Sequence, residues 1–584
     1  MKTHRRSHLW LSLAIALLAS CSTTPRPGSV VESKVALLSF YPQLGKLTEN
    51  IETLTGLVEE ALGNGAKIVV APELATTGYS ITAEQVKGGL GLRAPFRELQ
   101  RIRDLASSHQ AYVVVGLAEI GSGAGGEKLY NSVVLFGPGG LAKVQRKRGI
   151  AMWNDRGDLP FDVVRTPYGD LATIICSDSY LMDWIRISTL SGADIILGPA
   201  NWWGTYGQEK IWQTRAQENG LWMVVANRWG TEVDRRFDPP FTYEMNDAPS
   251  AVLSPEGRIQ LSYRADQEPK PVNKILYTTV QVPASRIGSP SPSPTYSVAY
   301  RRPSAYTAIA NRYYRPDQGN VPPPGLPPVG TAKVAVLAYR PGSEARENLA
   351  ALDRLKEAAG SGLDVLVLPG LGISAAPVDL GDPGWYGAPP WRDFQRMVDD
   401  TPIQLAVTTI LARGNRGARP LLLLARPGQA PRLVEQIHAT WAAAGSGQPP
   451  PTVDLAHFRV GVVSGTDLLF PEMATQLAKS GADLVVVSSS TGIPDARRPG
   501  PSGWSIEDLL RTWKTRTNQC FHLAASDASG YGLLVQDGGC FTLAEHRVPP
   551  DSIQTLDLDS TTERKKTLNA YHPFDLQSLL GGLD

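Results

Sequence analysis

Three side chains with complementary chemistry lie along the first half of the sequence. Glu73 follows an apolar run and precedes a glycine turn, Lys147 lies in a basic segment, and Cys176 ends a second apolar run. A carboxylate can accept the proton of a thiol, the thiolate can attack an acyl or nitrile carbon, and an ammonium group can stabilise the developing negative charge. Taken singly, each residue is explained as well by a solvated loop glutamate, a basic surface loop or a buried core thiol. Together they predict nucleophilic catalysis by Cys176.

The chemistry open to these three groups is thiol attack on an electrophilic carbon, which on an acyl group passes through a thioester. A free thiol, with a pKa near ~8.5, is mostly protonated at neutral pH and needs a base, for which Glu73 is the candidate. Lys147 and the backbone N–H of Ser177 would stabilise the charge on the attacked substrate. Glu73 would then protonate the departing amine and activate the water that cleaves the thioester.

The sequence around these residues resembles that of the nitrilase, or carbon–nitrogen hydrolase, superfamily. Between about residues 34 and 306, the matching segments are Pro72-Glu73 with Gly78-Tyr79, Arg146-Lys147, Cys176-Ser177-Asp178, Gly198 to Trp203, Arg215 to Asn219 and Arg301 to Tyr306. The resemblance implies a Glu-Lys-Cys triad at strand ends in an αββα sandwich. It also implies a small amide, carbamoyl compound or nitrile as substrate, with amides favoured. Because His is scarce and Cys is not clustered, neither a metal nor another cofactor is expected.

One departure from the family concerns the acidic residues. Many relatives carry a second Glu shortly after the Lys, and this sequence has none in that loop. Asp155 or Asp158 could take its place, or both could be solvated turn residues. Arg215 and Glu218, three positions apart on a predicted helix, are expected to pair in support of the core. The candidates for the substrate pocket, which could equally pack between helix and sheet, are Tyr79, Trp153, Asn201, Trp202 and Trp203.

Matched segments indicate that the chain contains two copies of one unit. The segment from Lys34 to Pro42 resembles that from Lys333 to Pro341, and a shift of 289 positions takes Ala193 to Ala482. Repeated strand–helix–strand units imply sheets covered by helices. The predicted fold class is therefore α/β, with two nitrilase-like αββα sandwich domains in tandem that pack as an intramolecular pseudo-dimer. Independent domains on a linker are the alternative.

The second copy lacks the residues of the triad. The same shift takes Lys147 to Gln436 and Cys176 to Gly465, and Pro72-Glu73 corresponds to Pro369-Gly370. Ser464 precedes Gly465, but adjacent strand residues point to opposite faces. We therefore expect residues 332–584 to be catalytically inactive.

The N-terminal residues have the pattern of a bacterial lipoprotein signal. Basic residues precede a short apolar run, which ends at Leu18-Ala19-Ser20-Cys21, and this segment resembles a lipobox. The alternative is an ordinary signal peptide with a chance Cys. Lipidated Cys21 would anchor the protein in the bacterial cell envelope, and in the outer membrane if there are two, because Ser22 is not Asp. The expected regions are a signal peptide at 1–21, a tether at 22–32, a catalytic domain at 33–284, a Pro/Ser-rich linker with a C-terminal extension of that domain at 285–331, and a degenerate domain at 332–584.

Composition restricts the remaining possibilities. The 584 residues are too many for one ordinary core. The 57 Lys plus Arg against 56 Asp plus Glu argue against a nucleic-acid partner, whereas further homo-oligomerisation stays open. Cys520 and Cys540 could form a disulfide or remain buried thiols. Other functions to weigh are a Cys-His protease using His109, a thioester-based N-acyltransferase, and a non-catalytic ligand-binding lipoprotein.

Overall fold

The computed structural model describes residues 28–580 apart from fifteen short gaps, so Cys21, Cys520 and Cys540 lie outside the described residues. The gaps are residues 124, 150–152, 204–207, 266–272, 293–294, 312, 315–320, 361, 415–416, 439–444, 491–520, 529, 538–542, 562–563 and 565–572. Within the described part, no helix combines the length and the apolar character needed to cross a membrane.

The first half contains two large sheets and a hairpin. Its strands are β1 (Val30–Ser39), β2 (Ile68–Val70), β3 (Tyr112–Gly123), β4 (Gly126–Gly137), β5 (Gly140–Arg146), β6 (Leu171–Thr173), β7 (Ile195–Ala200), β8 (Trp222–Asn227), β9 (Thr231–Asp234), β10 (Phe241–Glu244), β11 (Ser250–Leu253), β12 (Ile259–Tyr263) and β13 (Lys274–Pro283). One sheet has the order β13-β1-β2-β3-β4-β5 and the other the order β12-β11-β8-β7-β6, while β9 and β10 pair only with each other.

Helices cover the outer faces of these two sheets. They are α1 (Leu47–Gly63), α2 (Ala83–Gln85), α3 (Gln100–Ser108), α4 (Met182–Leu190), α5 (Gln208–Asn219) and α6 (Tyr296–Ala299), with a π-helical turn at Val86–Leu90 and 3₁₀ helices at Arg97–Leu99, Cys176–Tyr180, Met245–Asp247, Ala284–Arg286 and Pro303–Ala310. Leu54 of α1 and Ile102 of α3 pack against the first sheet. Trp184 of α4 and Trp212 of α5 pack against the second. The first half therefore has the predicted αββα arrangement.

The two sheets bring the ends of separate strands together. The strands β1, β2 and β3 are parallel, as are β6, β7 and β8. Apolar runs buried on both faces favour this pairing. Glu73 follows β2, Lys147 follows β5 and Cys176 follows β6, so all three lie beyond the carboxyl ends of strands. This is the edge at which α/β folds place their ligand sites.

The second half also contains two large sheets. Its strands are β14 (Thr331–Ala338), β15 (Val365–Gly370), β16 (Leu405–Gly414), β17 (Gly417–Ala425), β18 (Arg432–Glu435), β19 (Thr452–Asp454), β20 (Arg459–Ser464), β21 (Leu484–Ser489), β22 (His522–Asp527), β23 (Gly532–Asp537), β24 (Leu543–Val548) and β25 (Ser552–Asp559). Their orders are β18-β17-β16-β15-β14-β25 and β19-β20-β21-β22-β23-β24. The helices are α7 (Ala345–Ala359), α8 (Trp391–Asp399), α9 (Glu472–Lys479) and α10 (Pro573–Leu580), with 3₁₀ helices at Trp385–Gly387 and Gly465–Leu469.

The predicted linker contains folded segments. Within residues 285–331 lie the helix α6 and the 3₁₀ helix Pro303–Ala310. Tyr306 is fully buried, and its hydroxyl lies 2.7 Å from Nε2 of His438 in the second half. One continuous apolar cluster includes Trp184 of the first half and Met473 of the second. This part of the chain is therefore packed between the halves.

Candidate active site

Glu73 and Lys147 form a buried ion pair at the centre of the site. The distance from Lys147 Nζ to Glu73 Oε1 is 2.6 Å, and the two side chains are 1% and 0% exposed. Asn131 of β4 donates from Nδ2 to the same oxygen at 2.7 Å, and its carbonyl accepts the Lys147 backbone N–H at 2.9 Å. Oε2 of Glu73 is buried with no hydrogen-bond partner among the described residues. One carboxylate oxygen is thus fully occupied, and the other remains available to accept a proton.

Cys176 begins the 3₁₀ helix that follows β6. Its φ of 45° lies in the left-handed region, which costs energy for a residue with a side chain and recurs at functional turns. Burial raises the pKa of the thiol and the charge of Glu73 raises it further, while Lys147 opposes both. The resting group is therefore the neutral thiol, and attack requires a base that removes its proton at that moment.

Lys147 and Tyr79 keep their protons in this environment. Burial lowers the pKa of Lys147, but the acidic groups around it, with the Glu73 carboxylate first, outweigh that effect, and the net pKa is raised. Burial raises the pKa of the Tyr79 phenol, and Lys147 only partly opposes that effect. The site therefore contains a fixed cation and a neutral hydroxyl near the thiol.

Asp178 supports the backbone that follows Lys147. Its carboxylate accepts the backbone N–H groups of Arg148 and Gly149, each at 2.8 Å. It also contributes to the raised pKa of Lys147. Because Asp178 belongs to the turn that Cys176 begins, it ties the segment carrying the cation to the turn carrying the thiol.

Among the described residues, neither Asp155 nor Asp158 forms a hydrogen bond or ion pair with Lys147. Asp155 accepts from Lys128 Nζ at 3.2 Å and from the Leu129 backbone at 2.9 Å. Asp158 accepts from Arg146 at 2.8 Å and from the Tyr130 hydroxyl at 3.1 Å. The second carboxylate acting on Lys147 is instead Asp178.

The five candidate pocket residues separate into three groups. Asn201 donates from Nδ2 to the Glu73 carbonyl at 2.9 Å, and its backbone N–H binds the Cys176 sulfur, so it contacts both residues. Trp202 is buried with its ring centroid 4.5 Å from that of Tyr180, and Trp153 packs against the apolar cluster that contains Leu74. Tyr79 and Trp203 remain, and both contact Tyr243 of β10, at 5.2 and 5.4 Å between ring centroids.

The first half of the chain is similar in sequence to known proteins. Residues 34–286 match the family model described as carbon-nitrogen hydrolase. A nitrilase of Pyrococcus abyssi is 32% identical over 209 residues, which are 35% of this chain and 78% of that protein. The chain belongs to the carbon–nitrogen hydrolase family.

More distant similarity includes amidases as well as nitrilases. An omega-amidase of Xenopus tropicalis is 24% identical over 222 residues, which are 33% of this chain and 74% of that protein. A carbon-nitrogen hydrolase structure from Helicobacter pylori G27 aligns at 23% identity with a TM-score of 0.37, covering 44% of this chain and 91% of that one. The family membership supports an enzyme of the carbon–nitrogen hydrolase class.

The structure of this carbon–nitrogen hydrolase also places other residues that the sequence singled out. Arg215 and Glu218 form the expected pair at 3.0 Å, fully buried, which confirms their role in the core. His109 directly precedes β3, at the opposite strand end from Glu73, so the sheet separates it from the triad edge. Within the described residues, no group of three or more His, Cys, Asp or Glu could hold a metal ion.

Asn131 is the site residue that sequence reasoning missed. It lies in β4 and contacts Glu73 and the Lys147 backbone. The polar pair Asn131-Ser132 directly before the apolar run 133–136 was the available signal. The target of Asn131 could be known only once β4 was placed between β3 and β5 in the sheet that also contains β2.

Proposed function

We propose that this protein is an amidase that hydrolyses a non-peptide carbon–nitrogen bond through a thioester on Cys176. The supporting observation is the division of labour on Glu73, whose Oε1 binds Lys147 and Asn131 while Oε2 has no partner among the described residues. A carboxylate held in this way can accept the thiol proton without reorienting. Lys147 and the backbone N–H of Ser177 act on the substrate oxygen as negative charge develops there.

The proposed steps balance in atoms and protons. The proton of Cys176 passes to Glu73 while sulfur bonds to the carbonyl carbon, and the carbon–nitrogen bond then breaks as Glu73 protonates the leaving nitrogen. Water adds to the thioester after losing a proton to Glu73, and that proton returns to the departing sulfur. The products are a carboxylic acid and ammonia or an amine, and the thiol is restored.

Ammonia release from a panel of amides, carbamoyl compounds and nitriles tests this function. We expect turnover by the wild-type chain and none by Cys176→Ala or Glu73→Gln. Lys128→Ala, which removes a partly exposed amine of β4, is the active control. Alkylation of Cys176 by iodoacetamide should be detectable by mass spectrometry. If the wild type neither released ammonia nor became alkylated at Cys176, the proposal would be wrong. Transfer of the acyl group to an added amine in preference to water would indicate an acyltransferase.

We propose that residues 332–584 are an inactive copy of the catalytic domain. The alignment is supported by a shared contact, since Asp467 accepts the backbone N–H groups of Ile437 and His438 at 3.2 and 3.1 Å, as Asp178 does at positions shifted by 289. A Cβ atom at Gly465 would lie 2.1 Å from Ser489 Oγ, and one at Gly370 would lie 1.9 Å from Ser489 O. Space for a catalytic Cys and Glu is therefore closed in this half.

We propose that the two halves pair as an intramolecular pseudo-dimer. Arg186 Nε lies 3.2 Å from Glu472 Oε1, and Thr475 Oγ1 donates to Asp183 Oδ1 at 3.3 Å. A shift of 289 positions takes Asp183 to Glu472 and Arg186 to Thr475, so the two contacts are equivalents of each other. Reciprocal contacts of this kind are what a two-fold interface produces.

The C-terminal helix connects this pairing to the site. Asp575 of α10 lies 3.0 Å from Nη2 of Arg148, with both side chains buried. Arg148 directly follows Lys147, and its Nη1 donates to the Gly157 carbonyl at 2.6 Å. The second half therefore contacts the segment that carries the catalytic cation.

Expression of residues 22–331 alone tests the pairing. We expect this fragment to self-associate or aggregate, because it exposes the apolar surface around α4, and to lose amidase activity. The full-length chain cleaved in the linker by limited proteolysis is the matched control and should stay associated. A fragment that remained folded, monomeric and fully active would show that the halves are independent.

We also propose that lipidated Cys21 anchors the protein in the cell envelope. The support is the lipobox-like segment Leu18-Ala19-Ser20-Cys21 with a polar, Pro-containing segment after it. In a bacterial host, labelled fatty acid should be incorporated into the wild type and not into Cys21→Ser. Equal labelling of the two proteins, or recovery of the wild type in the soluble fraction, would contradict the proposal.

A further inference from the structure

The hairpin β9–β10 presents an aromatic inner face beside the triad. In its register Phe241 pairs with Asp234 and Tyr243 with Glu232, so these four side chains share one face, while Val233 lies on the other. Tyr243 is 5% exposed and Phe241 is 39% exposed. The inner face therefore runs from a buried end to an open end.

The rings form a continuous wall from the catalytic loop to solvent. Centroids are 5.2 Å apart for Tyr79 and Tyr243, 4.8 Å for Tyr243 and Phe241, and 6.1 Å for Phe241 and Phe237. Trp203 stands 5.3 Å from Phe241 and 5.4 Å from Tyr243. Phe237, at the outer end, is 48% exposed. We call these five residues the aromatic wall.

Polar contacts hold the wall against the loop that carries Glu73. Glu232 pairs with Arg228 at 2.7 Å and accepts the backbone N–H groups of Tyr79, at 3.0 Å, and Ser80. Arg236 of the hairpin loop donates to the Ile81 carbonyl at 2.8 Å. The wall is thus fixed relative to the base, as a surface that discriminates substrates must be.

Among the described residues, the hairpin occurs only in the half that carries the proposed triad. It lies between β8 and β11, whereas the equivalent strands of the second half, β22 and β23, are joined by residues 528–531 alone. Catalytic residues and hairpin are therefore absent together from one half. A purely structural hairpin would not be tied to the chemistry in this way.

We propose that the aromatic wall is the acyl subsite and that the substrates are amides with an aryl or extended aliphatic acyl group. This inference rests on the proposed amidase function and specifies its substrate class. The acyl group stays bonded to the Cys176 sulfur after the nitrogen has left, so contacts to it act in both thioester formation and thioester hydrolysis. An apolar substrate group that covers the partly exposed Phe rings removes their apolar surface from water. Burial of apolar surface is the main source of affinity in such sites.

The test compares three amides on the full-length chain. They are acetamide, 3-phenylpropanamide, which places the phenyl group on the acyl side, and N-phenethylacetamide, which places it on the nitrogen side. We expect kcat/KM for 3-phenylpropanamide to exceed that for acetamide by about tenfold or more. In Phe241→Ala and in Phe237→Ala/Phe241→Ala, the ratio of these two values should fall about tenfold. Val233→Ala, on the outer face of the same hairpin, should leave the ratio unchanged.

Each of the other possible results contradicts one specific statement of the proposal. If wild-type turnover occurs but the ratio is near one, or is insensitive to Phe241→Ala, the subsite assignment is wrong and the amidase function stands. If the phenyl preference resides in N-phenethylacetamide, the wall binds the leaving group and the acyl assignment is wrong. If the wild type hydrolyses none of the three, and iodoacetamide does not alkylate Cys176, the amidase function itself is wrong.

Discussion

Asn131 shares one oxygen of Glu73 with Lys147, and this contact has a measurable consequence. Replacement by Ala removes a hydrogen bond to a charged group, which is worth about 1.5–3 kcal/mol. We expect kcat of Asn131→Ala to fall about 10- to 100-fold with little change in KM, because Glu73 is left free to turn from the thiol. Steady-state kinetics on an accepted amide measures this.

A matched variant separates positioning from general damage to the strand. Ser132→Ala removes the neighbouring hydroxyl, which donates to Glu119 rather than to Glu73. We expect Ser132→Ala to retain the wild-type kcat, with a melting temperature comparable to that of Asn131→Ala. Equal losses in the two variants would mean that Asn131 acts only through stability.

The second half should resist restoration of the triad. In a Cys176→Ala background, the triple change Gly370→Glu, Gln436→Lys and Gly465→Cys should give no ammonia release. The physical reason is that Ser489 occupies the space at both glycine positions, with atoms about 2 Å from the added Cβ atoms. Adding Ser489→Ala frees only the contact with its hydroxyl, because its carbonyl still faces position 370. Activity of the triple variant would contradict the statement that Ser489 closes the space for these side chains.

At the residue scale, the sequence predicted which residues form the site better than it predicted the contacts between them. Glu73, Lys147 and Cys176 were predicted from chemistry and flanking motifs, and the structure brings Glu73 and Lys147 into direct contact. The role of Asp178 was not predicted, because its partners are backbone N–H groups that carry no sequence signature. Phe237 and Phe241 were missed because a short hairpin with two prolines in its loop resembles an irregular connection.

A glycine in β3 controls the position of the base at the scale of elements. A Cβ atom at Gly116 would lie 2.3 Å from the Pro72 carbonyl oxygen and 2.7 Å from Glu73 Cα, both backbone atoms that cannot simply rotate away. Gly116→Ala should therefore displace the Glu73 loop and reduce kcat more than tenfold. Activity and melting temperature of the purified variant check this.

Gly139 provides the comparison for that substitution. It lies in the turn between β4 and β5, where an added Cβ meets nothing within 4 Å. Gly139→Ala should keep full activity. If Gly116→Ala were equally active, the close approach of β3 to Glu73 would not matter for catalysis.

The elements themselves were predicted with uneven success. The helices α1 and α7 follow from the sequence, because the periodicity of their apolar residues determines them locally. The segment 285–331 was predicted to be a Pro/Ser-rich linker with a C-terminal extension of the first domain, and it contains the 3₁₀ helix Pro303–Ala310. Its burial depends on α9 of the other half, which local sequence does not reveal.

Over the whole molecule, one buried cluster at the contact between the two halves should make the stability of the chain sensitive to acid. Burial alone would raise the pKa of Glu472, but the charges of Arg186 and Arg301 lower it from 4.5 to about 2. Because the folded-state pKa is depressed, the stabilisation is complete above about pH 4.5 and is lost as the pH falls towards 2. The shift corresponds to about 3 kcal/mol.

Denaturant unfolding of Glu472→Gln at several pH values tests this linkage. The variant should be less stable than the wild type by about 3 kcal/mol at pH 7, and the difference should narrow between pH 4.5 and 2. Glu435→Gln, which removes an exposed pair with Arg419, is the control. A difference that did not depend on pH would contradict the assigned role of the charge.

The ion pair of Arg148 with Asp575 should couple the C-terminal helix to catalysis. Asp575→Ala leaves a buried guanidinium without its carboxylate, at a cost of about 3–5 kcal/mol. We expect lower stability together with a reduced kcat, because the backbone after Lys147 loses an anchor. Ser578→Ala, on the same helix, should affect neither. Unchanged kcat in a folded Asp575→Ala protein would show that α10 serves stability alone.

The reciprocal contacts between Asp183 and Thr475 and between Arg186 and Glu472 have a genetic consequence. In an assembly of two identical chains, each substitution occurs twice, once on each side of the axis. In the proposed pairing within one chain, the two sides are encoded separately. One contact can therefore be the charged pair Arg186–Glu472 while the equivalent contact is formed by the hydroxyl of Thr475 and the carboxylate of Asp183. For the same reason, one half can change its pocket while the other half keeps the catalytic residues. A homodimer cannot do this, because its two subunits have the same sequence.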